Sequence, residues 1–242
     1  MSQLSSSTLA TRFVNAYNLL DHSLRAQYNF KTNISFSDLI RRTATLNQVI
    51  RLYEDDLIDL ARLRNAIIHS KSEQVIAEPH ENVVELMEKV ARIISTPPLV
   101  VEAIKSTNVN IINAEQSLRD YVVMSSTVGH SNIPVYKRDM LIGVLQRHSF
   151  LGHIGYVMKE GKDLDDFLIG TTIEQFLIDH PPRTTRFTIV SARVTIEEAI
   201  ELFNNRQLSA IIITSDGTSG GKLMGIVTNA DIITLMQILD GY

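Results

Sequence analysis

Between Thr8 and Thr96 apolar side chains return every three or four positions, the spacing of helices that bury one face. Leu9, Phe13, Ala16, Leu20 and Leu24 predict a helix from Thr8 to about Phe30. A polar break follows over Asn29–Ser35, and Ser37 is a candidate cap for the next helix. Leu39, Leu46, Val49, Ile50, Tyr53, Leu57, Leu60, Leu63 and Ile67 carry the pattern on to about His69. That run is too long for one globular helix, so a break is expected near Thr43–Asn47. Ser70–Pro79 reads as a loop. Glu81–Ile94 is a further helix, with Val83, Val84, Leu86, Met87, Val90 and Ile94 apolar. About four helices with short connections predict an antiparallel bundle. Pro97 and Pro98 end it, because proline lacks an N–H and restricts the residue before it.

From Leu99 the texture changes to short β-branched runs. Asn108–Ile112, Asn132–Tyr136 and Leu141–Leu145 are strand candidates, and His148 onward is helical. Ser117 and Asp120 make a capping-box pattern before a helix. Gly161–Pro182 reads as a linker with one helix at Ile173–Ile178. The order then repeats: a strand at Thr188–Val190, a capping box at Thr195 and Glu198, strands at Leu208–Thr214 and Leu223–Val227, and a last helix carrying Ile232, Leu235, Met236 and Leu239. Ser117 matches Thr195 and Gly143 matches Gly225; the extra residues of the second copy fall in the Ser/Gly-rich stretch Thr214–Lys222, read as a flexible hairpin. The fold class is therefore α+β, a helical bundle followed by two β-α-β-β-α repeats. The domain limits read as 1–96, 97–158, a linker over 159–184, and 185–242.

Composition narrows the function. The 242 residues contain no cysteine, which excludes a disulfide framework and a thiolate metal site. The polar start Met1–Thr8 lacks a signal-peptide pattern, and no apolar run approaches ~20 residues, so a cytoplasmic protein with no membrane span is expected. Residues 1–96 hold 11 basic and 11 acidic side chains, which leaves 12 and 16 of the 23 and 27 for the remainder. Neither part has the bulk positive field of a dedicated nucleic-acid binder, so any RNA contact must be local.

Gly225-Ile-Val-Thr-Asn-Ala-Asp231 resembles the strand-to-helix signature that closes each repeat of CBS domains, which occur in pairs. The resemblance extends over roughly residues 97–242. It implies an adenine nucleotide (AMP, ADP or ATP) held at Thr228 and Asp231, with the base near Asn110 and His130, Ser131, Asn132 and Ile133, and Ile226 packed against it. The chemistry suits these groups: a carboxylate accepts hydrogen bonds from ribose hydroxyls, and free N–H groups at a helix start suit phosphate. Thr-x-x-Asp is equally a plain capping box that needs no ligand, and both alternatives stay open. In the first repeat Gln146 and Ser149 stand at the corresponding places, so a ribose there lacks its carboxylate and that half-site is expected to be empty or to take something else.

Arg64-Asn-Ala-Ile-Ile-His69 resembles the Arg-Asn-x-x-x-His motif of HEPN domains, helical bundles that often dimerise and are in many cases metal-independent endoribonucleases. The resemblance implies a homodimer, RNA as a partner, and catalytic roles for Arg64, Asn65 and His69. Histidine moves protons near neutral pH, and a fixed guanidinium stabilises a phosphate in its transition state. The alternative is structural: Arg64 pairs with Asp56 or Asp59, and His69 sits at a helix C-terminus. The other histidines show no metal-ligand spacing, Asp163, Asp165 and Asp166 read as a solvated cluster, and no metal is expected. The chain thus reads as an adenine-nucleotide-sensing module controlling a helical domain that cleaves RNA, or as a non-enzymatic regulatory or dimerisation protein that docks a partner through its helices.

Overall fold

The computed structural model describes residues 8–68, 78–104, 109–128, 131–181 and 186–241. The chain divides into two compact units, residues 1–98 with 238–242, and residues 99–237.

The first unit is helical. α1 (Leu9–Tyr28) starts where Thr8 Oγ1 accepts the Thr11 N–H and ends where Asn29 turns left-handed. Phe13, Leu20 and Leu24 along its inner face are fully buried. α2 (Phe36–Ala44) is capped by Ser35, two residues before the expected Ser37, because Ser35 Oγ is the oxygen that reaches the Asp38 N–H. The chain breaks after Ala44: Thr43 O accepts both the Leu46 and the Asn47 N–H, and Asn47 Oδ1 caps α3 (Gln48–Leu52). A second break, at Tyr53, separates α3 from α4 (Glu54–Ile67). α5 (Glu81–Ser95) packs along α1, and Arg12 ties the two by donating to Glu88 at 2.8 and 2.9 Å and to Glu81. Leu239, near the C-terminus, packs on this core, and Lys89 donates to Asp240 O at 2.7 Å.

The second unit holds two sheets of one design. In the first, β1 (Ile112–Asn113) runs parallel to β2 (Asn132–Lys137), which pairs antiparallel with β3 (Met140–Gln146). In the second, β4 (Phe187–Ser191), β5 (Ala210–Thr214) and β6 (Leu223–Thr228) repeat that order. Even the bulges match, at Val135/Tyr136 and Ile213/Thr214. β5 is buried along its whole length, as its Ala-Ile-Ile-Ile-Thr run requires of a central strand. β1 is shorter and later than the expected Asn108–Ile112: only Ile112 and Asn113 join the ladder, and residue 108 lies outside the described residues. The stretch Thr214–Lys222 is pinned, not loose: Thr214 Oγ1, Asp216 and Ser215 Oγ accept the N–H groups of Gly217, Thr218 and Lys222, and Ser219 O accepts the Leu141 N–H of β3.

Helices fill the rest: α6 (Val100–Ala103), α7 (Leu118–Thr127), α8 (Arg147–Lys159), α9 (Leu164–Gly170), α10 (Ile173–Asp179), α11 (Ile196–Arg206) and α12 (Ile232–Gly241). The connection between repeats holds two helices instead of the expected one. Phe167, Leu168, Ile173 and Phe176 from it pack into the core of the first repeat. Asp163, read as part of a solvated cluster, caps α9 through the Asp166 N–H.

The repeats exchange their leading segments. Leu99 bridges to Thr195 in the second repeat, and Thr172 bridges to Ser117 in the first. The Val100 N–H reaches Val194 O, and the Ile173 N–H reaches Gln116 O. Ile104 then lies on Gly225, and Leu177 lies on Gly143. These paired contacts define a pseudo-twofold relation. Tyr136, Leu141 and Val144 of one sheet meet Ile212, Leu223 and Ile226 of the other across it.

Candidate functional site

β6 ends at Thr228, whose partner in the ladder is Ala210. The chain then makes a single 3-10 turn over Asn229–Asp231 before α12 begins at Ile232. Asp231 folds back on the strand end: its Oδ2 accepts the Thr228 N–H at 2.8 Å and the Thr228 Oγ1–H at 2.9 Å. The other carboxylate oxygen, Oδ1, takes no hydrogen bond among the described residues, and Asp231 is half-buried. The capping role is thus real and occupies one oxygen. A carboxylate oxygen is left without a hydrogen bond among the described residues at a helix start, where it can accept a charge-assisted one.

The strand end of the first repeat meets the second repeat. Asn132 pairs with Gln146, and the Asn132 Nδ2 points to Ser209 O at 3.5 Å. Gln146 Nε2 donates to Ser209 Oγ, and that hydroxyl donates to Arg186 O at 2.9 Å. Ser209 precedes Ala210, the ladder partner of Thr228, so Asn132 lies close to the Thr228 strand end. Ser131 is exposed, its carbonyl taken by the Arg147 N–H. Ile133 is buried in the first repeat's core, and Ile226 packs between the sheets. Thr228, Asp231, Ser131, Asn132 and Ile226 therefore gather around the sheet-to-sheet seam. Asn110 lies two residues before Ile112, the ladder partner of Val135, and lines a shallow groove of about 440 Å³ along α7 with Gln116, Arg119, Asp120 and Met124. His130 lies outside the described residues. The sequence reading missed Ser209, which no motif marks; only the pairing of the two repeats brings it to Gln146.

In the helical unit Arg64 is half-buried on α4, and its Nε is buried with no hydrogen-bond partner. Its guanidinium stands over the Tyr17 ring, 5.8 Å from the centroid, a cation–π contact. Of the two acids expected to pair with it, Asp59 bonds Arg62 at 2.7 Å, and neither Asp56 nor Asp59 forms an ion pair with Arg64 among the described residues. Burial pushes the Tyr17 phenol up to about 12, with the Asp21 charge adding to the rise and Arg64 and Arg25 opposing it. Tyr17 keeps its proton at neutral pH and serves as an apolar wall. Asn65 is exposed on the same helix, and His69 lies outside the described residues. No three His, Asp or Glu residues among the described ones are grouped to hold a metal ion, and no helix there is long and apolar enough to cross a membrane.

Residues 183–238 match the model of the CBS domain, so the chain carries a CBS domain across β4 to the first turns of α12. No curated protein matches the chain significantly. Among solved structures, the CBS domain of a bacterial CNNM/CorC family Mg2+ transporter in complex with ATP is 22% identical at a TM-score of 0.44, covering 66% of this chain and 98% of its own. CBSX2 in complex with AMP is 16% identical at a TM-score of 0.44, covering 59% and 98%. A CBS-domain-containing protein from Agrobacterium tumefaciens is 11% identical at 0.43, covering 57% and 92%.

Proposed function

We propose that residues 99–237 form a regulatory module that binds one adenine nucleotide per chain at Thr228 and Asp231, and that occupancy is sensed by the helical unit. The observation that carries this is the open Asp231 Oδ1, held by the Thr228 hydrogen bonds at the seam between two repeats. The CBS domain match over residues 183–238, the part that holds Thr228 and Asp231, supports it. Two repeats, over 97–158 and 185–242, would frame the site, and residues 1–96 would be the controlled bundle. α12 supports the coupling: it begins one residue after Asp231, and its residues from Ile238 onward belong to the helical unit.

The test is Asp231→Ala. Charge-assisted hydrogen bonds contribute roughly 1.5–3 kcal/mol each, and ~1.4 kcal/mol is tenfold, so nucleotide affinity should fall about tenfold to hundredfold. Loss of the cap should lower stability by ~1 kcal/mol as well. Calorimetric titration with ATP, ADP and AMP, beside a melting curve for each protein, separates the two effects. A variant that loses stability alone, from a wild type that binds none of the three, sinks the nucleotide site.

A second function for the bundle is favoured by Arg64, a half-buried guanidinium without an acid partner among the described residues. It is metal-independent RNA cleavage by Arg64, Asn65 and His69, with a homodimer setting two copies of the motif along one groove. The rival is a non-enzymatic bundle that docks a partner.

A further inference from the structure

We infer that Gln146 is an internal plug that closes the first repeat's half-site and so fixes nucleotide stoichiometry at one per chain; this rests on the proposed site at Asp231. Pairing within the two sheets sets the equivalences. Asn132 opposes Gln146 as Ala210 opposes Thr228. Gln146 therefore stands where Thr228 does, Ser149 where Asp231 does, and Ser209, the residue before Ala210, where Ser131 does.

The two half-sites differ in what fills them. In the second repeat the Thr228 hydroxyl folds back to Asp231, and nothing from β6 reaches the first repeat by a hydrogen bond among the described residues. In the first repeat the side chain is longer, and its amide reaches both toward Ser149 and across to the second repeat. Gln146 Nε2 crosses to Ser209 Oγ, and Ser209 Oγ passes the chain of hydrogen bonds on to Arg186 O. Ser149 Oγ, in the carboxylate's position, lies 3.5 Å from Gln146 Oε1. Gln146 thus spends its amide on both repeats at once. Asn132, beside it, reaches the same residue through Ser209 O. A ribose at this half-site would have to break the bond to Ser209 and would find a neutral hydroxyl in place of a carboxylate. The missing carboxylate withholds attraction, whereas the glutamine occupies the space, and only the second is a plug.

The two causes are separable by titrating each protein with ATP in a calorimeter. Wild type should bind one ATP. Ser149→Asp alone should still bind one, because the amide remains. Gln146→Thr with Ser149→Asp should bind two, the new site within about tenfold of the first. Adding Asp231→Ala to that pair should leave one site at its affinity and weaken the other about tenfold to hundredfold. A second site in Ser149→Asp alone, or in the wild type, would overturn the plug. One site in the doubly substituted protein would overturn it too, provided its melting curve shows it folded; Gln146→Ser with Ser149→Asp serves where threonine does not fold. A wild type that binds no ATP removes the Asp231 site and this inference together, whereas one site in wild type and double variant alike removes the inference only.

Discussion

Asp231 and Arg64 show at the scale of one residue how a structural role and a binding role are told apart. Asp231 has a demonstrated structural role in one oxygen and room for a ligand at the other, which takes no hydrogen bond among the described residues. Arg64 has little structural reason to be an arginine. Its Nε is buried without a hydrogen-bond partner among the described residues, and leaving a buried donor unmet costs ~1–3 kcal/mol. Stacking on Tyr17 returns part of that, about 0.5–2 kcal/mol for such a contact. Arg64→Met keeps the length of the stem and removes the orphan donor. It should leave the melting temperature unchanged or raise it, and should abolish any RNA cleavage by the pure protein, as His69→Ala should in the presence of a chelator. A clear drop in stability for Arg64→Met, with cleavage identical to wild type, would return Arg64 to a purely structural part.

Elements carry what residue patterns could not. The helices of the bundle and strands β2, β3, β5 and β6 were legible because each has a periodic apolar face or a continuous buried run. The breaks were partly so: Thr43–Asn47 showed as a run too long for one helix, while Tyr53 sits inside an unbroken apolar period. α6 was invisible, being a single turn whose partners, Val194 and Thr195, lie far along the chain. Its consequence appears at Gly225, where an added Cβ would overlap Ile104 Cδ1. The overlapping atom is the far end of the half-buried Ile104 side chain, so Gly225→Ala should cost about 1 kcal/mol, the low end of overpacking, and Ile104→Ala in the same chain should recover much of it. Gly143→Ala should be milder still, since the approach to Leu177 Cδ1 is 3.0 Å, where the one at Gly225 is an overlap. Additive losses in a Gly225/Ile104 double-mutant cycle would contradict the swapped packing. α8 and α10 meet through His153 and His180, whose rings lie 4.3 Å apart against Phe176. Burial, and then the His180 charge, hold the His153 imidazole below its ordinary value. The unfolded chain then binds the proton more readily than the folded one. Stability is full above about pH 6.5 and falls as pH drops toward the lowered folded value. Melting temperature should decline over that window in wild type and decline less in His153→Gln; parallel curves would show that other groups set the acid slope.

At the scale of the whole molecule the question is whether two units with separate cores answer to one ligand. α12 is the covalent element that bears on it. Its start follows Asp231, and its end supplies Leu239 to the helical core and the Asp240 carbonyl to Lys89 of α5. Binding at the start of α12 stabilises whatever unfolds with it, by about 2.7 kcal/mol at a hundredfold excess over Kd. If α12 acts as one piece, saturating ATP should slow hydrogen exchange in α5 as well as in β5 and β6, because opening α5 would loosen the last turn that Lys89 holds. Removing residues 238–242 separates the effects. The shortened protein should still bind ATP and protect β5 and β6, while the ATP-dependent protection of α5 disappears. Loss of binding on truncation would mean that the last turn is needed to build the site. Unchanged α5 exchange in the full chain under saturating ATP would mean that the two units respond independently, and control of the bundle by the nucleotide would have no route through this helix.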